Sequence, residues 1–269
     1  MKNCEIIKWI ECFAPKHLAL EWDNVGLITG SPEDDVKNIM FCVDLTTEVL
    51  EGVIKRGINL VITHHPLYLD GSDMRKVPRY VKNIIEKCEK NHITVYAAHT
   101  NLDFTEGGIN DALIKKLGVK NTKRDLAGTY VFGDLEEPLA LEDYYLWCAD
   151  KLGTFTNKYC KPDKVLLRDE ISRVGVCAGA FDGETSWLTE NSIEVLITGE
   201  LKHHQAILLR ELGITAFVFG HFETEYPGIR SLAVHVNAAL KEQLNAEHIK
   251  ISLYDRGNPF CDEDFGEED

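Results

Sequence analysis

From residue 38 onward, short runs rich in β-branched residues alternate with amphipathic stretches of helical character. The first of these pairs are IMFCVDL with TTEVLEGVIKRG, and NLVIT with VPRYVKNIIEKCEKN. Apolar residues in the longer stretches recur at three- and four-residue spacing, and Gly57 marks the end of the first one. Strands that alternate with helices of this length predict βαβ units, and therefore an α/β fold with mostly parallel or mixed sheets flanked by helices.

The alternation starts again near residue 125, where TYVFG begins a second series of strands and helices. We therefore expect two α/β lobes, the first formed by residues 1–125 and the second by residues 126–226. Residues 227–269 are expected to return to the first lobe, because chain termini often lie close together. Residues 262–269 are predicted to form an acidic tail.

Composition and charge argue against several classes of protein. No apolar segment approaches the roughly 18–20 residues of a membrane helix, and the N-terminal MKNCEIIKWIECF has acids among its apolar positions, unlike a signal peptide. The eight cysteines are scattered without a CxxC pair, which favours reduced thiols in a cytoplasmic protein. The formal net charge of −15 repels phosphate backbones, so nucleic acid is an unlikely partner and a small-molecule substrate is expected instead.

The two halves of the chain contain similar short segments in the same order. LVITHH at residues 60–65 resembles VLITGELKHH at 195–204, and ITVYAAHTNLD at 93–103 resembles ITAFVFGHFETE at 214–225. In each half a strand precedes a histidine pair, and the next strand precedes a histidine with a carboxylate four residues later. Ile-Thr-apolar runs are common enough to recur by chance, but the shared order favours an internal duplication and two related lobes.

Imidazole and carboxylate side chains follow three predicted strands at their carboxyl ends. These side chains are His64 and His65, His99 and Asp103, and His221 and Glu225. Pro227 disfavours a helical conformation just before it, so we expect Glu225 to lie in a loop that enters the next helix. We expect the same of Asp103, which lies shortly before Gly107 and Gly108. Because ligands bind beyond the carboxyl ends of parallel strands, all of these groups are expected to project at one sheet edge.

This mixture of neutral imidazoles and carboxylates suits a first-row divalent ion such as Zn²⁺, Mn²⁺, Fe²⁺ or Co²⁺. A catalytic ion usually takes three protein ligands and leaves one position for water. Five ligands are more than one open site needs, so we expect two divalent ions per chain that share a carboxylate and hold a bridging hydroxide. The five predicted ligands are His64, His65, Asp103, His221 and Glu225.

Other residues near these strand ends leave more than one interpretation open. His99 is a sixth ligand, a group that orients a ligand, or a general base. Glu200, which follows EVLITG, is an acid–base group or a group that orients a ligand. His203 and His204 fall in the first turn of a predicted helix. The segment EWDNVGLITG at residues 21–30 is interpreted as a structural turn with an aromatic anchor.

The sequence resembles the Nif-three-like family, whose members are often named GTP cyclohydrolase I type 2 homologues. The resemblance rests on EWDNVGL, THHPL, AAHTNLD, TGELKHH, GHFETE and the closing GNPF, in this order through nearly the whole chain. It implies the Nif-three-like fold of two related α/β lobes, assembled as a homohexameric toroid whose metal sites face an internal cavity. Some relatives carry a further domain inserted in mid-chain, and this sequence is too short to hold it.

The resemblance also implies how a dinuclear site divides its ligands. One ion would be bound by His64 and Asp103, and the other by His65 and His221. Glu225 would be shared between the two ions. Some relatives are described as opening the ring of GTP to give formate and a dihydroneopterin triphosphate. This sequence contains neither a GxxxxGK[ST] motif nor a dense arginine cluster, so the choice of GTP rests on the resemblance alone.

Two functions are compatible with these predictions. The first is a metal-dependent hydrolase of a nucleotide or a small phosphorylated or cyclic metabolite, with a metal-bound hydroxide as its nucleophile. The alternative is a non-enzymatic, metal-binding toroid that serves as an interaction or regulatory module. We favour the hydrolase, because structural zinc sites are normally closed and rich in thiolates, whereas the predicted ligands contain no thiolate.

Overall fold

The computed structural model describes residues 1–69, 75–125, 128–154, 159–163, 167–242, 244 and 246–259, and the predicted acidic tail at 262–269 lies outside these residues. The α-helices of the described residues are α1 (Asn3–Phe13), α2 (Thr47–Lys55), α3 (Arg79–Lys90), α4 (Thr100–Phe104), α5 (Ile109–Lys116), α6 (Leu141–Leu152), α7 (Ser186–Glu190), α8 (His203–Glu211) and α9 (His221–Glu242). The strands are β1 (Gly26–Thr29), β2 (Asn38–Cys42), β3 (Leu60–Thr63), β4 (Thr94–Ala97), β5 (Lys120–Arg124), β6 (Val131–Ala140), β7 (Tyr159–Cys160), β8 (Glu170–Ala180), β9 (Val195–Glu200), β10 (Thr215–Val218) and β11 (Lys250–Leu253).

The first sheet has the strand order β1-β4-β3-β2-β11. Its strands β4, β3, β2 and β11 are parallel, and β1 runs antiparallel to β4 at one edge. All four residues of β3 are buried, as expected for a strand with helices packed on both faces of its sheet. Because β11 pairs with β2, the chain returns to the first sheet after it has formed the second.

The second sheet has the strand order β5-β6-β8-β9-β10-β7 and is mixed. The central strands β8, β9 and β10 are parallel, whereas β5, β6 and β7 are joined to their neighbours in antiparallel fashion. The two sheets confirm the predicted α/β class with mixed sheets flanked by helices. The division into lobes at residue 125 stays a prediction.

Each sheet is covered by helices on both faces. Helices α1 and α9 pack on one face of the first sheet, and α2 and α3 pack on the other. Helices α5 and α6 cover one face of the second sheet, and α7 and α8 cover the opposite face. The contact between α5 and α9 joins the two layers. Within the part of the chain that the structure describes, no helix is long and apolar enough to cross a membrane.

The expectation that Glu225 lies in a loop was wrong, because α9 begins at His221 and continues through Pro227 to Glu242. Proline inside a helix removes one backbone donor and its ring clashes with the carbonyl four residues earlier, which together cost about 3 kcal/mol. The same helix buries Ile229, Leu232 and other apolar side chains in the core of the first sheet. Each buried side chain contributes about 1.5–3 kcal/mol, so tertiary packing outweighs the local preference before proline.

The prediction for the segment after β4 was partly wrong. His99 follows the end of the strand as expected, but Asp103 lies on the short helix α4 instead of in a loop. The backbone of this helix is closed by hydrogen bonds from Leu102 and Asp103 to the carbonyl of His99. The turn therefore directs the Asp103 side chain back toward the sheet edge from which His99 emerges.

We predict that Gly228→Ala lowers the free energy of unfolding by about 1–3 kcal/mol, because α5 and α9 approach too closely there for a side chain. A Cβ atom at Gly228 would lie 2.6 Å from the Cα atom of Ile109. The matched control is Gly52→Ala in α2, where a Cβ atom would meet nothing within 4 Å. The control should raise the stability by about 0.5–1 kcal/mol, as usual for glycine in a helix. Urea unfolding of both variants measures the difference, and a stabilised Gly228→Ala protein would contradict the packing argument.

Candidate metal centre

The carboxyl edge of the first sheet faces the beginning of α9. His64 and His65 follow β3 directly, and their backbone amides donate to carbonyls at the end of β2, at Cys42 and Val43. This pairing holds both backbone positions while the two rings diverge, with centroids 5.0 Å apart and planes tilted by 41°. The ring of His221, at the start of α9, lies 5.1 Å from that of His65.

The four imidazoles at this edge share one arrangement: each has its Nδ1 atom within hydrogen-bond distance of a protein oxygen. The partners are Ala98 O for His64 at 2.9 Å, Asp44 Oδ1 for His65 at 2.9 Å, Asp23 Oδ1 for His99 at 2.8 Å, and Glu200 Oε1 for His221 at 2.9 Å. Because each oxygen accepts a hydrogen bond from Nδ1–H, the Nε2 atom of each neutral ring is left with its lone pair free to bind an ion.

Glu225 lies between the Nε2 atoms of three of these rings. Its Oε1 atom is 3.0 Å from His221 Nε2 and 3.5 Å from His64 Nε2. Its Oε2 atom is 3.2 Å from His65 Nε2. The contact with His221 is possible because residues four apart share one face of α9. The Glu225 side chain is only 6% exposed, so its charge is compensated by the groups of the cluster rather than by water.

Asp103 contributes a second carboxylate from α4. Its Oδ1 atom lies 3.6 Å from His64 Nε2, on a side chain that is 24% exposed. Desolvation raises the pKa of Asp103, the positive charge of His64 opposes the rise, and the negative charge of Glu225 adds to it. The structure therefore brings together all five predicted ligands, with His99 beside them.

Two atoms inside the cluster are buried without a hydrogen-bond partner, His64 Nε2 and Glu225 Oε2. A buried polar atom left in this state costs about 1–3 kcal/mol, so such atoms in a native protein call for a partner. The donor atoms of His64, His65 and His99 lie within 4.8 Å of one another, as do those of His65, His221 and Glu225. This donor set fits divalent metal ions.

The carboxylates raise the pKa values of the imidazoles around them. Burial lowers the pKa of His65, but a hydrogen bond with Asp44 and the negative charge of the nearby Glu225 carboxylate outweigh burial and raise this pKa to about 10. The same competition at His221, with Glu225 and Glu200 as partners, raises its pKa to about 9. Burial alone would raise the pKa of Glu225, but the positive charge of His64 and the hydrogen bond from His221 hold it well below its usual range.

Glycine backbone forms one wall of the cluster. Gly179, near the end of β8, has a φ of +65°, and a Cβ atom there would collide with Glu225 Oε1 and lie 3.2 Å from His221 Nε2. Its amide donates to Thr224 Oγ1, and its carbonyl accepts from Thr198 Oγ1. The second sheet therefore approaches the Glu225 carboxylate with backbone alone, which leaves room for the donor atoms.

Sequence reasoning missed three groups that hold the cluster in place. Asp44 and Asp23 accept hydrogen bonds from His65 and His99, and Gly179 shapes the wall. The signal for Asp23 was present in EWDNVGLITG, which was interpreted as a structural turn. Glu200 lies beside the cluster at His221 Nδ1. His203 and His204 begin α8, as predicted, and are exposed.

Comparisons of the sequence with known proteins give a family model and relatives that match most of the chain. The family model described as Duf34/NIF3 (NGG1p interacting factor 3) matches residues 1–257. A relative named "GTP cyclohydrolase 1 type 2 homolog" from Methanocaldococcus jannaschii is 31% identical over 252 residues, which cover 89% of this chain and 96% of that protein.

Two solved structures have a similar fold. Reduced HcgD from Methanocaldococcus jannaschii is 29% identical with a TM-score of 0.78, and the match covers 95% of this chain and 98% of that chain. A Bacillus cereus protein related to NIF3 has a TM-score of 0.86 at 21% identity, with coverage of 97% and 99%. At that identity the second structure shows the fold alone.

We predict that Gly179→Ala weakens metal binding at least about tenfold, because the added methyl group displaces the Glu225 carboxylate. The matched control is Gly128→Ala, at a residue with a similar φ of +76° where a Cβ atom would meet nothing within 4 Å. Both variants carry the same backbone strain, so a difference between them isolates the contact with Glu225. Titration with Zn²⁺ and metal analysis of the dialysed proteins measure the metal affinity of both variants. Equal metal retention by the two variants would contradict the proposed contact between residue 179 and the Glu225 carboxylate.

We also predict that Zn²⁺ affinity rises from about pH 6 to about pH 9, because an ion binds the neutral imidazole and must displace its proton. The pKa values of His221 and His65 are raised to about 9 and about 10, so their protonated forms stabilise the metal-free fold at low pH. That stabilisation is lost as the pH rises through these values. Calorimetry in buffers of different ionisation enthalpy measures the released protons, and an affinity independent of pH would contradict the assignment.

Proposed function

The chain belongs to the Duf34/NIF3 family, and on that premise we propose that it is a hydrolase dependent on two divalent metal ions. The proposed substrate is a nucleotide or another small phosphorylated or cyclic metabolite. The observation that carries the proposal is the pair of unpartnered buried atoms, His64 Nε2 and Glu225 Oε2, inside a cluster rich in imidazoles. Thiolate-rich structural zinc sites differ from this donor set, which is typical of sites that keep a position open.

The proposed ligands divide into two groups that share one carboxylate. His64 and Asp103 would hold one ion, which is supported by the 3.6 Å separation of their donor atoms. His65 and His221 would hold the other, and their Nε2 atoms lie 3.3 Å apart. Glu225 would bind both ions, since its two oxygens approach different members of the two groups. Bound ions would supply Lewis acidity and lower the pKa of a coordinated water.

The residues around the ligands would fix the orientation of the rings. Glu200 accepts a hydrogen bond from His221 Nδ1. We therefore propose that Glu200 positions this ring and does not act as an acid or base on the substrate. Asp44 would do the same for His65. Asp23 holds His99 with its ring 5.2 Å from that of His64, so His99 borders the space in which the ions would lie.

The choice of a nucleotide follows from the names of the relatives. The Methanocaldococcus jannaschii relative is named as a GTP cyclohydrolase 1 type 2 homolog, and we carry over the substrate class rather than GTP itself. We include in this proposal a cytoplasmic homohexamer. The seven cysteines of the described residues are free thiols, which suits a reducing compartment. Light scattering of the metal-loaded protein measures the assembly directly.

We predict that Glu225→Gln and Asp103→Asn each lower turnover at least about 100-fold and also lower metal content, because each removes a charged ligand. The control is Glu211→Gln at the exposed end of α8, which should keep both properties. Metal analysis and a hydrolysis panel of nucleotides, phosphoesters and cyclic amides measure the two effects separately. A protein that retains two ions yet hydrolyses none of the panel would refute the hydrolase and favour the non-enzymatic module.

A further inference from the structure

Trp22 is held beside the donor cluster with more than half of its surface in solvent. Its side chain is 55% exposed, and its ring meets that of His99 edge-on, with centroids 6.1 Å apart and planes at 72°. The His99 ring lies 5.2 Å from His64 and 5.3 Å from His65. The indole is therefore one ring away from two of the proposed metal ligands.

The backbone on both sides of Trp22 is fixed. Asp23, the next residue, has a fully buried carboxylate that accepts hydrogen bonds from His99 Nδ1, Thr100 N and Thr100 Oγ1. On the other side, the amide of Leu20 donates to Thr100 Oγ1 at 3.1 Å. The amide of Asp23 closes the turn by donating to the carbonyl of Leu20 at 2.9 Å. The indole thus stays exposed on an anchored turn.

Two further exposed apolar residues lie on the same turn and on the segment that is hydrogen-bonded to it. Leu20 is 41% exposed, and Leu69 is 52% exposed. The side chain of Asn24 donates to the carbonyl of Tyr68 at 2.9 Å, which joins the turn to the segment that follows the histidine pair. Apolar surface of this kind is stabilised when a ligand covers it, and its position next to the cluster points to a ligand that also reaches the ions.

We propose that Trp22 stacks against the planar heterocycle of the substrate, as the base of a nucleotide would. This inference rests on the proposed function, and it assigns a specificity-determining role to a residue outside the metal ligands. An aromatic side chain stacks on any nucleobase, because every base offers a π-face. The oxygen atoms of the same substrate would then face the imidazole and carboxylate groups, while Trp22 discriminates in favour of substrates that carry a ring.

The test compares two probes, GMP and ribose 5-phosphate, which lacks a base. Calorimetry with the Zn²⁺-loaded protein should show that Trp22→Ala weakens GMP binding about tenfold or more, the loss expected for one stacked base. Binding of ribose 5-phosphate should not change, and Trp22→Phe should retain most of the GMP affinity. The matched control is Trp147→Ala on α6, a tryptophan that is 45% exposed with Lys151 Nζ 4.1 Å from its ring.

The experiment separates this inference from the proposed hydrolase, because it measures binding, metal content and molecular mass without turnover. Equal GMP affinities in Trp22→Ala and wild type would overturn it, as would an equal loss for both probes. A wild-type protein that binds none of GMP, AMP, CMP and UMP would overturn it as well. If Trp22→Ala changes the molecular mass of the protein and weakens the binding of both probes, the inference is also overturned. Trp22 would then be a contact between copies of the chain.

Discussion

The candidate centre depends on the different partners of the two nitrogen atoms in each imidazole ring. The Nδ1 atom donates a hydrogen bond to a protein oxygen, and this hydrogen bond fixes both the tautomer and the plane of the ring. The Nε2 atom is thereby directed toward the shared space of the cluster, which the Glu225 carboxylate borders. Without Asp44, Asp23, Glu200 and the carbonyl of Ala98, the same four rings would rotate and exchange tautomers, and their lone pairs would not converge.

Local sequence signals predicted the strands and most of the donors, because both depend on short-range properties. The run LVIT consists of apolar or β-branched residues and is buried at every position, as expected for a doubly covered strand, and a histidine pair follows it directly. The placement of Glu225 was wrong for a physical reason that one segment cannot reveal. The apolar residues after Pro227 pack against the first sheet, and this long-range packing extends α9 back to His221.

The groups that orient the rings escaped prediction because nothing in their neighbourhoods marks their role. Asp44 lies between β2 and α2 and resembles a helix-capping residue, and Asp23 resembles a turn former. Their partners, His65 and His99, are 21 and 76 residues further along the chain. The role of Gly179 could not be predicted for the same reason. A side chain at this position would collide with the Glu225 carboxylate, which is distant in the sequence.

His65 and His221, whose Nε2 atoms meet at the centre, are 156 positions apart in the chain. Closing so long a loop is entropically unfavourable and slow compared with the pairing of β2, β3 and β4. During biosynthesis, His64, His65 and His99 emerge from the ribosome well before α9 exists, and on their own they form an incomplete ligand set. High-affinity metal binding at the candidate centre would therefore have to wait until both layers have docked through α9, and a bound ion would stabilise only the finished fold. Under the proposed function, the metal content of the protein would thus report how completely the chain has folded.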